Sequence, residues 1–237
     1  MSAHAHSKVL SSRFCALENC CLLFLVTLLG ATRTQKCCPL VSHHSSRPLT
    51  QTEWHGEYFD FSGAISDALP ERGQRAACGG AADAFHALAL GCGNSKLSSQ
   101  LLENEKRVAL VTSVDYSPRV IDDMRARHAD HPQAASLRWE ATDVRDMRAL
   151  FADESIDVIV DKACVDALSC SDGFDSQKLG LPAVAAECAR ILAPGGGWLV
   201  VSFNQPSIML PLLERPEWDV AHRSQRGNVH LYTARKH

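Results

Sequence analysis

Residues 85–95 read FHALALGCGNS, and this stretch decides the fold class of the protein. The apolar run up to Leu90 is typical of a strand that is covered on both faces of a parallel sheet. Gly91 and Gly93 follow at once, and two glycines let the backbone turn tightly and approach a ligand closely. Leucines at helical spacing come next, so a helix N-terminus with free N–H groups faces the turn. The stretch therefore predicts a strand, a ligand-binding turn and a helix.

The same alternation of strands and helices continues to residue 203. Apolar runs predict further strands at 108–114 (VALVTSV), 156–160 (IDVIV) and 198–203 (WLVVSF), with a weaker one at 137–140 (LRWE). Apolar residues at helical spacing predict helices over 95–104, 118–128 and 181–192, the last stopping at a Pro-Gly-Gly sequence. Such alternation is typical of an open α/β sheet with right-handed crossovers.

The end of the chain follows a different pattern. The strand-like segments 218–221 and 229–234 are joined by a short turn at 224–228, with no helix between them. We expect a terminal hairpin that makes one edge of the sheet antiparallel. With the five strands before it, the hairpin predicts a mostly parallel seven-stranded sheet.

Composition excludes several classes of protein. The chain has 237 residues, of which 46% are hydrophobic and 22% charged, a balance typical of one globular domain with a sizeable core. A disordered tail, a collagen-like fibre and a multi-span membrane protein are excluded. The net charge of −3 gives no electrostatic reason to expect a nucleic-acid partner. None of the ten cysteines lies in a Cys-x-x-Cys motif, so no metal site is predicted and a reduced, cytoplasmic setting is favoured.

Residues 1–50 differ in composition from the rest of the chain. They hold five basic residues and one acid, whereas residues 51–237 carry a net charge of −7. The apolar run at 20–29 (CCLLFLVTLL) is too short for a stable membrane span, which needs about 20 residues. Three interpretations stay open: a signal or membrane anchor through residues 20–30, a mitochondrial presequence, or a segment without function. We expect a poorly ordered or targeting leader over 1–50 and one folded domain over 51–237.

Polar residues follow the predicted strands at the edge where open α/β sheets bind ligands. Asp115 comes after the second strand, 22 residues past the second glycine of the turn, and its carboxylate can accept both hydroxyls of a ribose. Asp143 and Val144 follow the third strand and suit the edge and the face of an adenine. Asp161 and Lys162 follow the fourth. Polar groups after four successive strands predict a nucleoside cofactor.

The glycine turn separates two candidate cofactors. A nicotinamide dinucleotide requires Gly-x-Gly-x-x-Gly, but the third position here is Lys96. There is also no second mononucleotide-binding half and no substrate domain. A cofactor without pyrophosphate needs less from the turn, and the terminal hairpin favours the same choice. The sequence therefore favours S-adenosyl-L-methionine over NAD.

At these residues the chain resembles the class I methyltransferases of the methyltransferase-like group. Within that group it is similar to the lysine methyltransferases of translation elongation factor 1-alpha and to the mitochondrial citrate synthase lysine methyltransferase. The resemblance covers residues 51–237 and includes the segment 53–58 (EWHGEY), which in the family folds over the cofactor. Its other motifs are 91–95 (GCGNS), 113–117 (SVDYS), 137–140 (LRWE), 143–144 (DV), 161–162 (DK) and 166–167 (DA).

The resemblance implies a Rossmann-like fold, S-adenosyl-L-methionine as the cofactor and a role for each matching residue. It implies that Gly91, in the same turn as Gly93, contacts the methionine part of the cofactor and that Lys162 lies near the same end. Asp115 would bind the ribose, and Trp54 would close the site. The residues implied to contact the adenine are Tyr116, Asp143 and Val144. The chain departs from the family pattern after the fourth strand, where Lys-Gly-Thr is replaced by Lys162-Ala163-Cys164.

The function expected from these residues is methyl transfer to a lysine side chain of a protein such as translation elongation factor 1-alpha. A lysine must attack as the neutral amine, and its free pKa is about 10.4. Asp161 and Asp166 are the candidates for orienting it on the acceptor side. Two alternatives stay open: a small-molecule methyltransferase that uses the same cofactor site, and an inactive cofactor-binding partner subunit. The sequence leaves the degree of methylation and the oligomeric state open.

Overall fold

The computed structural model of the protein describes residues 51, 53–71, 83–171, 174–224 and 228–237. The leader predicted for residues 1–50, with its apolar run, lies outside the described residues. Within the described part of the chain, no helix combines the length and the apolar character that crossing a membrane requires.

Strands and helices alternate through the domain. The helices are α1 (Tyr58–Ala68), α2 (Leu97–Asn104), α3 (Pro118–Arg127), α4 (Cys164–Ser171), α5 (Phe174–Ile191) and α6 (Pro206–Leu213), with a 3₁₀ turn at Ala134–Ser136. The strands are β1 (Phe85–Leu90), β2 (Val108–Asp115), β3 (Leu137–Ala141), β4 (Ile156–Lys162), β5 (Leu192–Ser202), β6 (Trp218–Ser224) and β7 (His230–Lys236).

The seven strands form one sheet in the order β3-β2-β1-β4-β5-β7-β6. The first five are parallel, while β7 pairs antiparallel with both β5 and β6. The predicted mostly parallel sheet with a C-terminal antiparallel hairpin is therefore confirmed. In register, Leu90 of β1 lies between Val114 of β2 and Asp161 of β4. The carboxyl ends of the three central strands thus meet at one edge.

Helices cover both faces of the sheet, and this explains why the central strands are mostly apolar. Every residue of β1 and β4 is buried. Ala87 and Ala89 face a core shared with α1, α2 and α3, whereas Leu88 and Leu90 face a second core shared with α5 and α6. A strand buried on both sides has no solvent-facing positions to fill with polar residues.

Several elements differ from the sequence predictions. Helices α1, α4 and α6 were not predicted, and the helix expected over 181–192 begins earlier, at Phe174, and ends at Ile191. The Pro-Gly-Gly sequence expected to stop it lies inside β5. Strand β4 runs to Lys162, so Asp161 and Lys162 belong to the strand instead of following it. The pairing of β4 with β5 explains the extension, because it continues through both residues.

Candidate cofactor and acceptor site

The glycine turn and Asp115 form one unit between β1 and β2. Gly93 adopts a φ of +51° and donates its backbone N–H to Asp115 Oδ2 at 2.9 Å. The N–H of Ser117 donates to Asp115 Oδ1 at 2.9 Å. A carboxylate oxygen can accept two hydrogen bonds, so each oxygen keeps one position for a ligand hydroxyl. The structure thus brings the glycine turn and Asp115, which the sequence indicated separately, into direct contact.

The two glycines of the turn meet different surroundings. Gly91 has a φ of +60°, and a Cβ built on it would lie 2.5 Å from the Sγ of Cys164 in α4. A Cβ built on Gly93 would meet no atom within 4 Å. The first glycine therefore allows close packing of the turn against a helix, and the second borders open space that a ligand can enter.

Burial changes the electrostatics of Asp115. Removal from water raises the pKa of this carboxyl above its ordinary value, although the N–H groups of Ser117 and Gly93 act in the opposite direction. Additional hydroxyl donors would favour the charged form further. A ribose diol, which supplies two such donors, therefore suits this position.

The residues predicted to hold an adenine follow β2 (Tyr116) and β3 (Asp143 and Val144), and their environments differ. Val144 is buried, whereas Tyr116 has a relative exposure of 74%. Asp143 is engaged by Arg145, whose Nη2 donates to Oδ2 at 2.6 Å and whose Nε donates to Oδ1 at 2.9 Å. The hydrogen bonds from Arg145 lower the pKa of Asp143. The backbone N–H of Arg145 also donates to Oδ1 at 2.9 Å, and its Nε also donates to Oδ2 at 3.0 Å, so each oxygen already accepts two hydrogen bonds. Arg145 must therefore move before Asp143 can accept a hydrogen bond from an adenine amine.

Lys162, predicted near the methionine end of the cofactor, holds the segment that precedes α1. Its Nζ donates to Glu53 Oε2 at 2.6 Å and to the carbonyl oxygen of Trp54 at 3.2 Å. Only 4% of the lysine side chain is exposed, so this ion pair is shielded from water. Lys162 thereby fixes Trp54 at the carboxyl end of β4, next to the glycine turn.

Glu53 also binds the N-terminus of α2, a role that the sequence did not reveal. Its carboxylate accepts hydrogen bonds from Ser95 Oγ and from the backbone N–H of Lys96, both at 2.7 Å. Burial alone would raise the pKa of Glu53, but the hydrogen bonds from Lys162, Lys96 and Ser95 outweigh it and leave the pKa below its ordinary value. An acid beside a tryptophan was the only local signal, because its partners lie 42 to 109 residues away.

The two acids predicted on the acceptor side have different surroundings. Asp161 is completely buried, and its Oδ1 accepts the N–H groups of Cys164 and Val165 at the start of α4. Burial and the nearby charge of Asp166 raise the pKa of Asp161 well above its ordinary value. These contacts cap the helix.

Asp166 occupies the centre of a polar cluster above β4 and β5. Its carboxylate pairs with the Nε2 of His55 and accepts hydrogen bonds from Ser202 Oγ, the N–H of Phe203 at 3.0 Å and Asn204 Nδ2 at 2.6 Å. Sequence patterns identified Asp166 but none of these four partners.

A family model described as a methyltransferase domain matches residues 82–232, more than half of the chain. The chain belongs to this methyltransferase family. Its predicted class and its fold are thereby confirmed, and S-adenosyl-L-methionine is the cofactor that the family implies.

Curated relatives and a solved structure give the degree of similarity. The chain is 31% identical over 188 residues to the EEF1A lysine methyltransferase 4 of Mus musculus, covering 76% of this chain and 66% of the relative. It is 29% identical over 158 residues to the human eEF1A lysine and N-terminal methyltransferase, covering 66% of this chain and 20% of that protein. A candidate S-adenosyl-L-methionine-dependent methyltransferase from Methanococcus maripaludis superposes with a TM-score of 0.56 at 15% identity, over 76% of this chain and 84% of that one. The last similarity concerns the fold alone.

The residues at the edge of the sheet fit the implied cofactor. Asp115 retains acceptor positions for two hydroxyls, and open space borders Gly93. Val144 belongs to the same apolar core as Leu90 and Val114, the residues that precede the turn and Asp115. When bound, S-adenosyl-L-methionine supplies an electrophilic methyl group on a positively charged sulfur. The individual cofactor contacts stay predictions.

Proposed function

We propose that this protein methylates a lysine side chain of another protein, with translation elongation factor 1-alpha as the first acceptor to test. The observation that carries the proposal is the similarity to several curated relatives whose names specify lysine methylation of this factor. The chain spans 66%, 20% and 46% of the lengths of these three relatives, and the proposal concerns the methyltransferase domain.

The division of the site supports this function. Asp115 and the glycine turn lie at the ends of β1 and β2, which suits the nucleoside half of the cofactor. The cluster around Asp166 lies at the ends of β4 and β5, on the other side of β1 in the sheet order. An acceptor that enters over β4 and β5 would reach the methyl group from the side opposite the ribose.

The chain contributes mainly by positioning and by excluding water. Methyl transfer requires the amine, the methyl carbon and the sulfur to be collinear, so orientation supplies much of the rate enhancement. The segment with Trp54, which the buried Lys162–Glu53 pair holds in place, covers the end of β4 and keeps water out of this region. A lysine that enters such a dry site loses part of its hydration, and this favours the neutral amine that must attack.

Incubation with labelled S-adenosyl-L-methionine tests the proposal. We expect the full-length protein to label elongation factor 1-alpha in a lysate or as a purified acceptor, and mass spectrometry to locate the methyl group on a lysine. Asp115→Ala serves as the matched control, because it removes the predicted ribose acceptor. Label on a small molecule, or on an oxygen, sulfur or nucleobase, would contradict lysine methylation. Binding of S-adenosylhomocysteine without any labelled product would favour an inactive partner subunit.

Cytoplasmic location and the absence of a nucleic-acid partner stay predictions. Both follow from the composition and charge of the chain. Fractionation of cells that express the full-length protein tests the location, and recovery with mitochondria or membranes would contradict it.

A further inference from the structure

Asp166 has no free acceptor position for a substrate. A carboxylate offers about four lone-pair positions. In Asp166 they are taken by one side chain from the segment before α1 and three groups from the end of β5. These are His55 Nε2, Ser202 Oγ, the N–H of Phe203 and Asn204 Nδ2. An incoming amine therefore cannot bind Asp166 directly without displacing one of these donors.

His55 carries a basic nitrogen that is left available in this cluster. Because its Nε2 faces the carboxylate of Asp166, the proton of the neutral imidazole lies on Nε2 and the lone pair lies on Nδ1. Nδ1 is buried and has no hydrogen-bond partner among the described residues. Buried polar atoms in folded proteins nearly always have a partner, so an unpaired acceptor points to a missing donor.

The surrounding backbone and rings hold His55 in this position. Its φ of +65° lies in the left-handed region, which is uncommon for a residue other than glycine. Its ring packs edge-on against Phe203, with the ring centroids 4.0 Å apart. Only 2% of its side chain is exposed. Conformations of this kind persist where tertiary contacts impose them, and they are concentrated at functional sites.

His55 lies where the acceptor is expected. Asp166 is in the first turn of α4, directly after β4, and Phe203 directly follows β5. The carbonyl of Trp54, the residue before His55, is bound by Lys162 at the end of β4. His55 is thus fixed above the carboxyl ends of β4 and β5, next to the strand that carries the glycine turn.

We propose that His55 is a catalytic residue whose Nδ1 accepts a proton from the substrate lysine, with Asp166 as its positioning residue. This proposal rests on the proposed lysine acceptor. The lysine ammonium transfers one proton to Nδ1 and becomes the neutral amine. The nitrogen lone pair then forms the bond to the methyl carbon, the sulfur–carbon bond breaks, and its electron pair stays on sulfur. The methylated lysine leaves as a cation, and the imidazolium returns its proton to water.

The charges around His55 favour this step. The Asp166 carboxylate stabilises an imidazolium, as an orienting acid does in other histidine bases. Tyr232, whose hydroxyl donates to the carbonyl of Asn204, has its pKa raised to about 12 by burial and by Asp166, so it stays neutral below that pH. Among the described residues, Asp166 on α4 is the titratable group that contacts His55. Asp161 on β4 and Tyr232 on β7 interact electrostatically with Asp166, and the Lys162–Glu53 pair holds Trp54, the residue before His55.

Two substitutions at position 55 separate catalysis from folding. His55→Gln keeps an amide N–H that can donate to Asp166 but removes the base. His55→Asn tolerates the left-handed backbone but shortens the contact to Asp166. His131→Gln is the control, because His131 lies on the surface beside Glu103, outside the site. Each variant is measured for melting temperature, S-adenosylhomocysteine affinity, and kcat and KM with the labelled lysine acceptor from pH 6.5 to 10.

We expect His55→Gln and His55→Asn to lower kcat about 100-fold at pH 7, a typical contribution of a general base, while the S-adenosylhomocysteine Kd changes less than threefold. The deficit should shrink towards pH 10, because the lysine there loses its proton without help. Three results would overturn the role of His55 and leave the proposed function intact. They are a kcat deficit that is equal at every pH, an unchanged kcat, and a loss confined to cofactor binding or to melting temperature. If the wild-type protein labels no lysine, the proposed function and the role of His55 both fail.

Discussion

The two halves of the site are built by different means. At the ends of β1 and β2, the glycine turn and Asp115 are joined by a backbone N–H group. The turn directly follows β1, and Asp115 is the last residue of β2. At the ends of β4 and β5, side chains far apart in sequence hold one another: Lys162 with Glu53, and Asp166 with His55. The first half follows from local backbone geometry. The second exists only after the segment before α1 has docked.

Among the substitutions that test this difference between the two halves, we expect Gly91→Ala to lower the stability of the protein most. In Gly91→Ala the new Cβ would collide with Cys164, and the residue would have to keep its positive φ. Overpacking and the left-handed backbone together should lower the free energy of unfolding by about 3 kcal/mol. Urea unfolding measures this change.

Gly93→Ala is the matched control for Gly91→Ala. Its φ is also positive but its Cβ enters open space, so about 1–2 kcal/mol of stability should be lost, together with much of the cofactor affinity. Equal destabilisation by both substitutions would contradict the distinction between a packing glycine and a ligand-facing one.

Asp115→Ala should weaken the nucleoside half without unfolding the protein. Loss of a charge-assisted pair of hydrogen bonds to a ribose should cost about 2–3 kcal/mol of affinity for S-adenosylhomocysteine. Titration calorimetry on the folded variant measures it. An unchanged Kd would show that Asp115 does not bind the cofactor, and it would contradict the assignment of the β1–β2 end to the nucleoside.

Glu53→Gln tests the half that is built by tertiary contacts. The variant removes the charge that holds Lys162 and the N-terminus of α2, and a lost hydrogen bond to a charged group should cost about 2 kcal/mol of stability. The folded-state pKa of Glu53 lies below its ordinary value. The stability that its charge contributes is therefore complete above about pH 4.5 and is lost as the pH falls through the folded-state pKa.

Chemical unfolding of wild type and Glu53→Gln at pH 7 and pH 3 measures this dependence. The difference between the two proteins should be larger at pH 7. Ser62→Ala, which removes a hydroxyl from an exposed position of α1, is the control and should show no pH-dependent difference. A difference that grows as the pH falls would contradict the favourable charge on Glu53.

Arg145→Ala should change stability least, and it tests whether Asp143 belongs to the nucleoside half of the site. The Arg145–Asp143 pair is largely exposed, so its loss should change stability by less than about 1 kcal/mol. If Asp143 accepts a hydrogen bond from the adenine amine, freeing its carboxylate should raise affinity for S-adenosylhomocysteine a few-fold. An unchanged affinity would indicate that Asp143 stabilises only the local turn after β3 and does not bind the adenine.

The sequence by itself determined the sheet and its parallel and antiparallel parts, and it indicated the glycine turn and Asp115 as the predicted nucleoside half of the site. These features follow from local patterns: apolar runs covered on both faces, turns that need glycine, and an acid at the end of a strand. The sequence also indicated Lys162 and Asp166, but only the tertiary structure revealed their partners Glu53 and His55. Glu53 and His55 lie more than 100 residues from Lys162 and Asp166, and no periodicity connects them. The sequence analysis likewise missed helix α1, which is held by a distant contact: the Tyr58 hydroxyl donates to Glu105, 47 residues away. Side-chain contacts between distant segments form only when the chain is folded, because burial, and not spacing along the chain, selects the partners.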